Sequence, residues 1–272
     1  MKRAALVLLA LAAGAAQGQD EPMRPEETRA EQLAAGHVRA ALEAKDCPRA
    51  VQHLKEGLAA KHPGLYLMAG TMYEDGLCVK ADWERAKAFY QLGLDAGHRG
   101  GLFKLVAGLA HGPRDPAAAL WWGQRALAAT LPGDCIVADW VHRDPESYVA
   151  TLRAWPAGRL GACVYAAGVL SLVAGDMMYP PDALGLQIAG RVKMSFVPAE
   201  GRIDWTTTDL EIKPPVGVVS GEWLRDRQSR DARESLRRSL EQTGQRALRR
   251  FKAPTGIDAA WRPEMEYVFS LQ

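Results

Sequence analysis

From Arg29 to Thr130 the apolar positions return at helical spacing, in short runs broken by Gly, Asp and Pro. The clearest stretch is Gly64 to His98. In its first half Leu67, Gly70, Tyr73 and Gly76 recur every three residues, so small and large groups alternate along one helix face. Asp82 is placed to cap a second helix, in which Trp83, Ala86, Phe89 and Tyr90 fall at helical spacing. Ala86 and Gly93 lie seven residues apart on a side where another helix can approach closely, and Gly97 supplies a stop. Shifting by 36 residues carries Asp46, Ala50, Gly57, Leu58 and His62 onto Asp82, Ala86, Gly93, Leu94 and His98. Ala34 and His37 occupy the places of Gly70 and Tyr73, which makes the earlier unit an atypical first copy. A third, eroded copy spans 101–130: Val106, Leu109 and Gly112 follow at 36 residues. Ala118, Trp121 and Trp122 answer Ala86, Phe89 and Tyr90 at 32, because the intervening loop is shorter.

The set Gly70, Tyr73, Gly76, Asp82, Ala86, Tyr90 and Gly97, with the closing Gly-His, resembles a Sel-one-like repeat, a relative of the tetratricopeptide repeat. That resemblance implies a short α-solenoid of helix pairs over about 29–130, with irregular helices continuing to 175. Its concave face would bind proteins or peptides.

Beyond the repeats, Asp144-Pro145-Glu146 opens a helix that should end before Pro156. Leu160–Gly175 carries no charge. At 16 residues with three glycines it reads as a buried helix rather than a membrane span. From Met178 the period changes to two. Val192, Met194 and Phe196 share one face and Ile203, Trp205 and Thr207 another, with the turn at Ala199-Glu200-Gly201, so the segment predicts a hairpin. A helix from Asp231 follows, with Ala232, Leu236, Leu240, Ala247, Leu248 and Phe251 as its stripe. Met265, Tyr267, Phe269 and Leu271 then alternate as a last strand. The expected fold class is therefore mainly α, with a small α+β domain at 178–272: a three-stranded antiparallel sheet and one helix. Tyr179-Pro180, Gly190-Arg-Val, Phe196-Val, Gly201-Arg-Ile, Ala247-Leu-Arg-Arg-Phe and Pro254 resemble the TonB carboxy-terminal domain, although that family's Leu-Asp-x-Ala-Ala helix opening is missing. This resemblance implies strand pairing with segments of outer-membrane transporters.

Composition alters the picture at the amino end. Lys2 and Arg3 precede an uncharged run from Ala4 to Ala16, and Ala16-Gln17-Gly18 offers small residues for cleavage, so residues 1–18 read as a signal peptide. Residues 19–28 form a polar leader, and export to the periplasm is expected, with no membrane span once the signal is removed. Without Lys2 and Arg3 the basic and acidic residues balance at 32 each, which gives no global attraction to nucleic acid. Residues 225–252 hold ten Arg and Lys against four Asp and Glu. Arg237, Arg238, Arg249 and Arg250 are candidate contacts there for anionic envelope components, set against a solvated helix face. Trp121 and Trp122 are a second candidate binding pair, set against simple packing between repeats.

Four cysteines in an exported chain suggest two disulfides, with three pairings open. The repeat register favours Cys47–Cys78, since stacked neighbours place those loops together, and leaves Cys135–Cys163. For catalysis, no Gly-x-Ser-x-Gly, His-Glu-x-x-His, Gly-x-x-x-x-Gly-Lys or Gly-x-Gly-x-x-Gly occurs, and Gly217–Gly221 misses the first by one position. Asp139 and His142 are the one acid–base pair to nominate for an enzyme acting on cell-wall fragments. No cofactor or metal ligand set is expected, since the histidines are scattered in sequence. A non-enzymatic protein that binds envelope proteins or peptides is the leading expectation, with a TonB-like component as the alternative.

Overall fold

The computed structural model describes residues 25–112, 114–140, 143–156, 158–176, 188–212 and 222–269. The predicted signal peptide, Gly217–Gly221, His142, Tyr179-Pro180 and Leu271 lie outside them. Among the described residues the chain is mainly helical, with one small antiparallel sheet.

Six helices come in three consecutive pairs: α1 (Pro25–Glu43) with α2 (Cys47–Ala59), α3 (Pro63–Asp75) with α4 (Trp83–Asp95), and α5 (Gly100–Ala110) with α6 (Pro116–Leu127). Their starts are chemically specified. The carboxylates of Asp46, Asp82 and Asp115 accept from the backbone N–H three residues on, at 3.2, 3.1 and 2.9 Å, satisfying donors that the helix itself leaves free. At the end of α3 the chain takes φ +68° at Gly76, a left-handed turn that a side chain would strain. Neighbouring pairs meet through α1 with α3, α2 with α3, α3 with α5 and α4 with α5.

Small residues decide how closely these helices pack. A Cβ at Gly70 would stand 2.3 Å from the Tyr90 ring, and one at Gly93 would stand 2.3 Å from Leu67. Gly70 and Tyr90 are thus matched in packing: Tyr90 fills the space that Gly70 leaves empty, and both are buried. Tyr73 stacks on Phe89 with ring centroids 5.6 Å apart.

Disulfides join Cys47 to Cys78 and Cys135 to Cys163, with Cα separations of 4.9 and 5.3 Å. The first ties the start of α2 to the loop after α3. The second ties a short turn, Gly133–Cys135, to α8 (Arg159–Asp176). Before α8 comes α7 (Pro145–Arg153), capped by Asp144 onto the Ser147 N–H at 2.9 Å. Buried Gln124 organises the irregular stretch between α6 and α7. Its amide donates to the Tyr148 hydroxyl and accepts from Val137 N–H, both at 2.6 Å.

Helix α8 is long and apolar enough to cross a membrane, yet 67% of it is buried inside the fold. It packs against α5, α6 and α9 (Glu222–Arg250). Helix α9 starts nine residues before the expected Asp231. The added turns, Glu222 to Arg230, are polar on all sides apart from Trp223 and Leu224, so no apolar stripe announces them.

Strand β1 (Ile188–Val197) lies between β2 (Arg202–Ile212) and β3 (Glu264–Phe269), antiparallel to both. The β1–β2 turn is a short helical turn, Pro198–Glu200, closed by Gly201 at φ +59°. Val192, Met194 and Phe196 are fully buried on one face, as the alternation predicts. Val192 meets Leu236 and Leu240 of α9. Met194 and Phe196 join a core that runs through α8 into α5 and α6. The third helical pair, α8 and the sheet therefore share one hydrophobic core, while α1, α2 and α3 pack around a smaller cluster of their own.

Candidate functional site

The place where the helical pairs meet α9 combines buried charge with an open groove. Glu74, near the end of α3, has a side chain only 6% exposed. It accepts from the Tyr90 hydroxyl at 2.8 Å, from Arg114 Nη1 at 2.8 Å and from Arg250 Nη2. Arg114 also donates to the Gly108 carbonyl at 2.9 Å, and its guanidinium lies 4.3 Å from the centre of the Trp83 ring. Arg250 reaches Asp75 as well, at 3.5 Å. One carboxylate thus links α3, α4, the α5–α6 loop and the end of α9.

These neighbours shift the titration of the groups around them. Burial pushes the Asp75 carboxyl above its ordinary value, and the Arg250 charge only partly offsets this. Burial lowers His111, and the nearby Arg250 and Arg114 cations lower it further. Burial raises the Tyr90 phenol, and the Glu74 carboxylate adds to the effect, so that hydroxyl stays a proton donor.

Beside this cluster runs a groove of about 540 Å³. Leu160, Val164 and Tyr165 of α8 and Phe251 after α9 give it an apolar floor, and His111, Arg250 and Lys252 supply its polar groups. Gly168 makes the junction possible, since a Cβ there would stand 2.7 Å from Phe251 and 3.0 Å from Ala110. A concave, mostly apolar surface suits an apolar segment.

The sequence-derived candidates are distributed differently. Trp121 and Trp122 are half-buried against the main core. Trp121 meets Tyr148 edge-on at 4.9 Å, and Arg125 lies 5.3 Å from each indole. Arg237 is paired with Glu234 and Glu241, and Arg238 lies 3.9 Å from Glu234. Arg249 is exposed, whereas Arg250 turns inward to the junction. The basic stretch is therefore not one patch. Asp139 is exposed at φ +53°, and the pairing proposed for it with His142 lies outside the described residues. Glu74, Arg114 and His111 carried no sequence signal of their own, because partners in this cluster lie up to 176 residues away. Comparison with protein-family models, curated proteins and solved structures finds no match to this chain.

Proposed function

We propose that the chain is a non-enzymatic binding or assembly protein of the bacterial periplasm, recognising envelope proteins or peptides. The groove at the junction of the helical pairs with α8 and α9 carries this reading. It is concave and apolar, and the Glu74 cluster holds its walls in fixed relation. The two disulfides support an oxidising compartment, which agrees with the signal-like amino end. The 36-residue register and the Gly70–Tyr90 contact support reading the three pairs as a short Sel-one-like solenoid. The test is capture from envelope extract with the disulfides intact, comparing the native chain with Leu160→Glu and Val164→Glu. The reading requires a discrete protein retained by the native chain and lost with the groove variants. Equal recovery by all three, or by none, contradicts it.

A second reading has its own support. Among the described residues β2 and β3 each pair only with β1, so each strand has one free edge, and Val268 on β3 is 64% exposed. A peptide strand could add there through main-chain hydrogen bonds, as the likeness to the TonB carboxy-terminal domain suggests. Under this reading transporter amino-terminal peptides bind the full chain, and Val268→Lys weakens them while Leu160→Glu does not.

A further inference from the structure

The first helical pair differs from the second at positions that matter chemically. In the second pair Tyr73 and Phe89 stack across α3 and α4 at 5.6 Å. Thirty-six residues earlier the same two places hold His37 on α1 and His53 on α2, with ring centroids 5.3 Å apart. The place of Leu92 is taken by Glu56, whose Oε2 lies 3.3 Å from His53 Nδ1. His62, at the start of α3, lines the same pocket of about 210 Å³. Two stacked rings and an exposed leucine have become three donors, with a fourth at the pocket wall.

Two of the spacings lie close to those between the ligands of a metal site. With metal–ligand bonds of about 2.0–2.1 Å, tetrahedral ligand atoms stand about 3.4 Å apart and two ligating imidazole centroids about 5.2 Å apart. The observed 3.3 and 5.3 Å agree with both. As the side chains stand, no three His, Cys, Asp or Glu among the described residues already form a metal-holding group. Closing the site requires His37 to turn its ring, which its exposed position allows, while the backbones of α1 and α2 stay in place.

We propose that His37, His53 and Glu56, with His62 as a fourth donor, bind one divalent first-row transition cation. Imidazole and carboxylate donors suit Zn²⁺ and its neighbours rather than Mg²⁺ or Ca²⁺. The consequence is local. The Cys47–Cys78 bridge fastens the start of α2 to the loop after α3, and α1 has no such tie. A cation at this pocket would fasten α1 to the carboxy-terminal half of α2 and to the entry of α3.

The test is titration of the full exported chain, free of affinity tags, with Zn²⁺ by calorimetry, and with Co²⁺ to read coordination from visible absorption. One equivalent of Zn²⁺ is expected to bind at micromolar concentration. The informative variant is His37→Tyr with His53→Phe, which reproduces the ring stack of the second pair and so keeps the fold. It is expected to retain the native melting temperature without metal and to lose Zn²⁺ affinity at least tenfold. Glu56→Gln is expected to weaken binding, and His98→Ala, at the equivalent of His62 in the next pair, to leave it unchanged. No saturable uptake by the native chain overturns the proposal, as does native affinity in the double variant or in Glu56→Gln.

Discussion

Replacing Glu74 by Ala probes the junction most sharply. The substitution removes the shared acceptor of Tyr90, Arg114 and Arg250, whose side chains approach it at 2.8 Å or closer. Deleting one partner of a buried ion pair costs about 3–5 kcal/mol, because a desolvated charge is left without compensation. Arg114 and Arg250 are 25% and 22% exposed, so each regains some water, and Asp75 still reaches Arg250. These two effects put the loss at the low end, about 3 kcal/mol. Tyr90→Phe removes only the hydroxyl bond to that carboxylate and should cost about 1.5–3 kcal/mol. Urea unfolding with both disulfides intact measures these values, followed by ellipticity and by tryptophan emission. A double-mutant cycle between Glu74→Gln and Arg250→Met isolates the contact that spans the helical pairs and α9. A loss under about 1 kcal/mol for Glu74→Ala, or no coupling in the cycle, would refute the claim that this carboxylate holds the two parts together.

Other consequences follow from the same contacts. Cys47→Ser opens a loop whose ends are 31 residues apart and should cost about 3–4 kcal/mol in the chain-entropy estimate, read as a shifted urea midpoint. Gly70→Ala forces a methyl into the buried Tyr90 ring and should cost about 1–3 kcal/mol by the same assay, whereas Gly36→Ala, where a Cβ meets nothing within 4 Å, should not destabilise. His111 has a folded pKa below its unfolded value, so the unfolded chain binds more protons as pH falls through the window between them. Stability should therefore drop on acidification from neutral pH, and His111→Gln should lessen that drop in melting temperature. Asp75 titrates in the opposite sense at lower pH, which is why the variant rather than the native curve is decisive.

Local chemistry was readable from the sequence wherever one residue type answers one local need. Asp46, Asp82 and Asp144 are caps because a short carboxylate reaches a free N–H three residues on. The β1–β2 hairpin was readable because alternation at period two fixes which face is buried. Cys47–Cys78 followed from the 36-residue register, which brings distant loops side by side, and Cys135–Cys163 is the pair that this leaves. The junction was not readable. Glu74 and Arg250 look like any surface charges in their own helices, and only tertiary packing brings them together. The start of α9 was missed for a related reason, since a helix polar on nearly every side leaves no period to read. The histidines are scattered in sequence, and only the fold brings His37 of α1, His53 of α2 and His62, just before α3, around one pocket.

Site-specific photocrosslinking in living cells tests the binding account most directly, with the crosslinking residue placed in turn at Leu160 in the groove, Val268 on the sheet edge and Leu33 on the outer helix α1. The account predicts one discrete protein adduct from Leu160, with none from Leu33. An adduct from Val268 alone would move the contact to the sheet edge and favour strand addition. No adduct at any position above the background of the unmodified chain would contradict a protein-binding role.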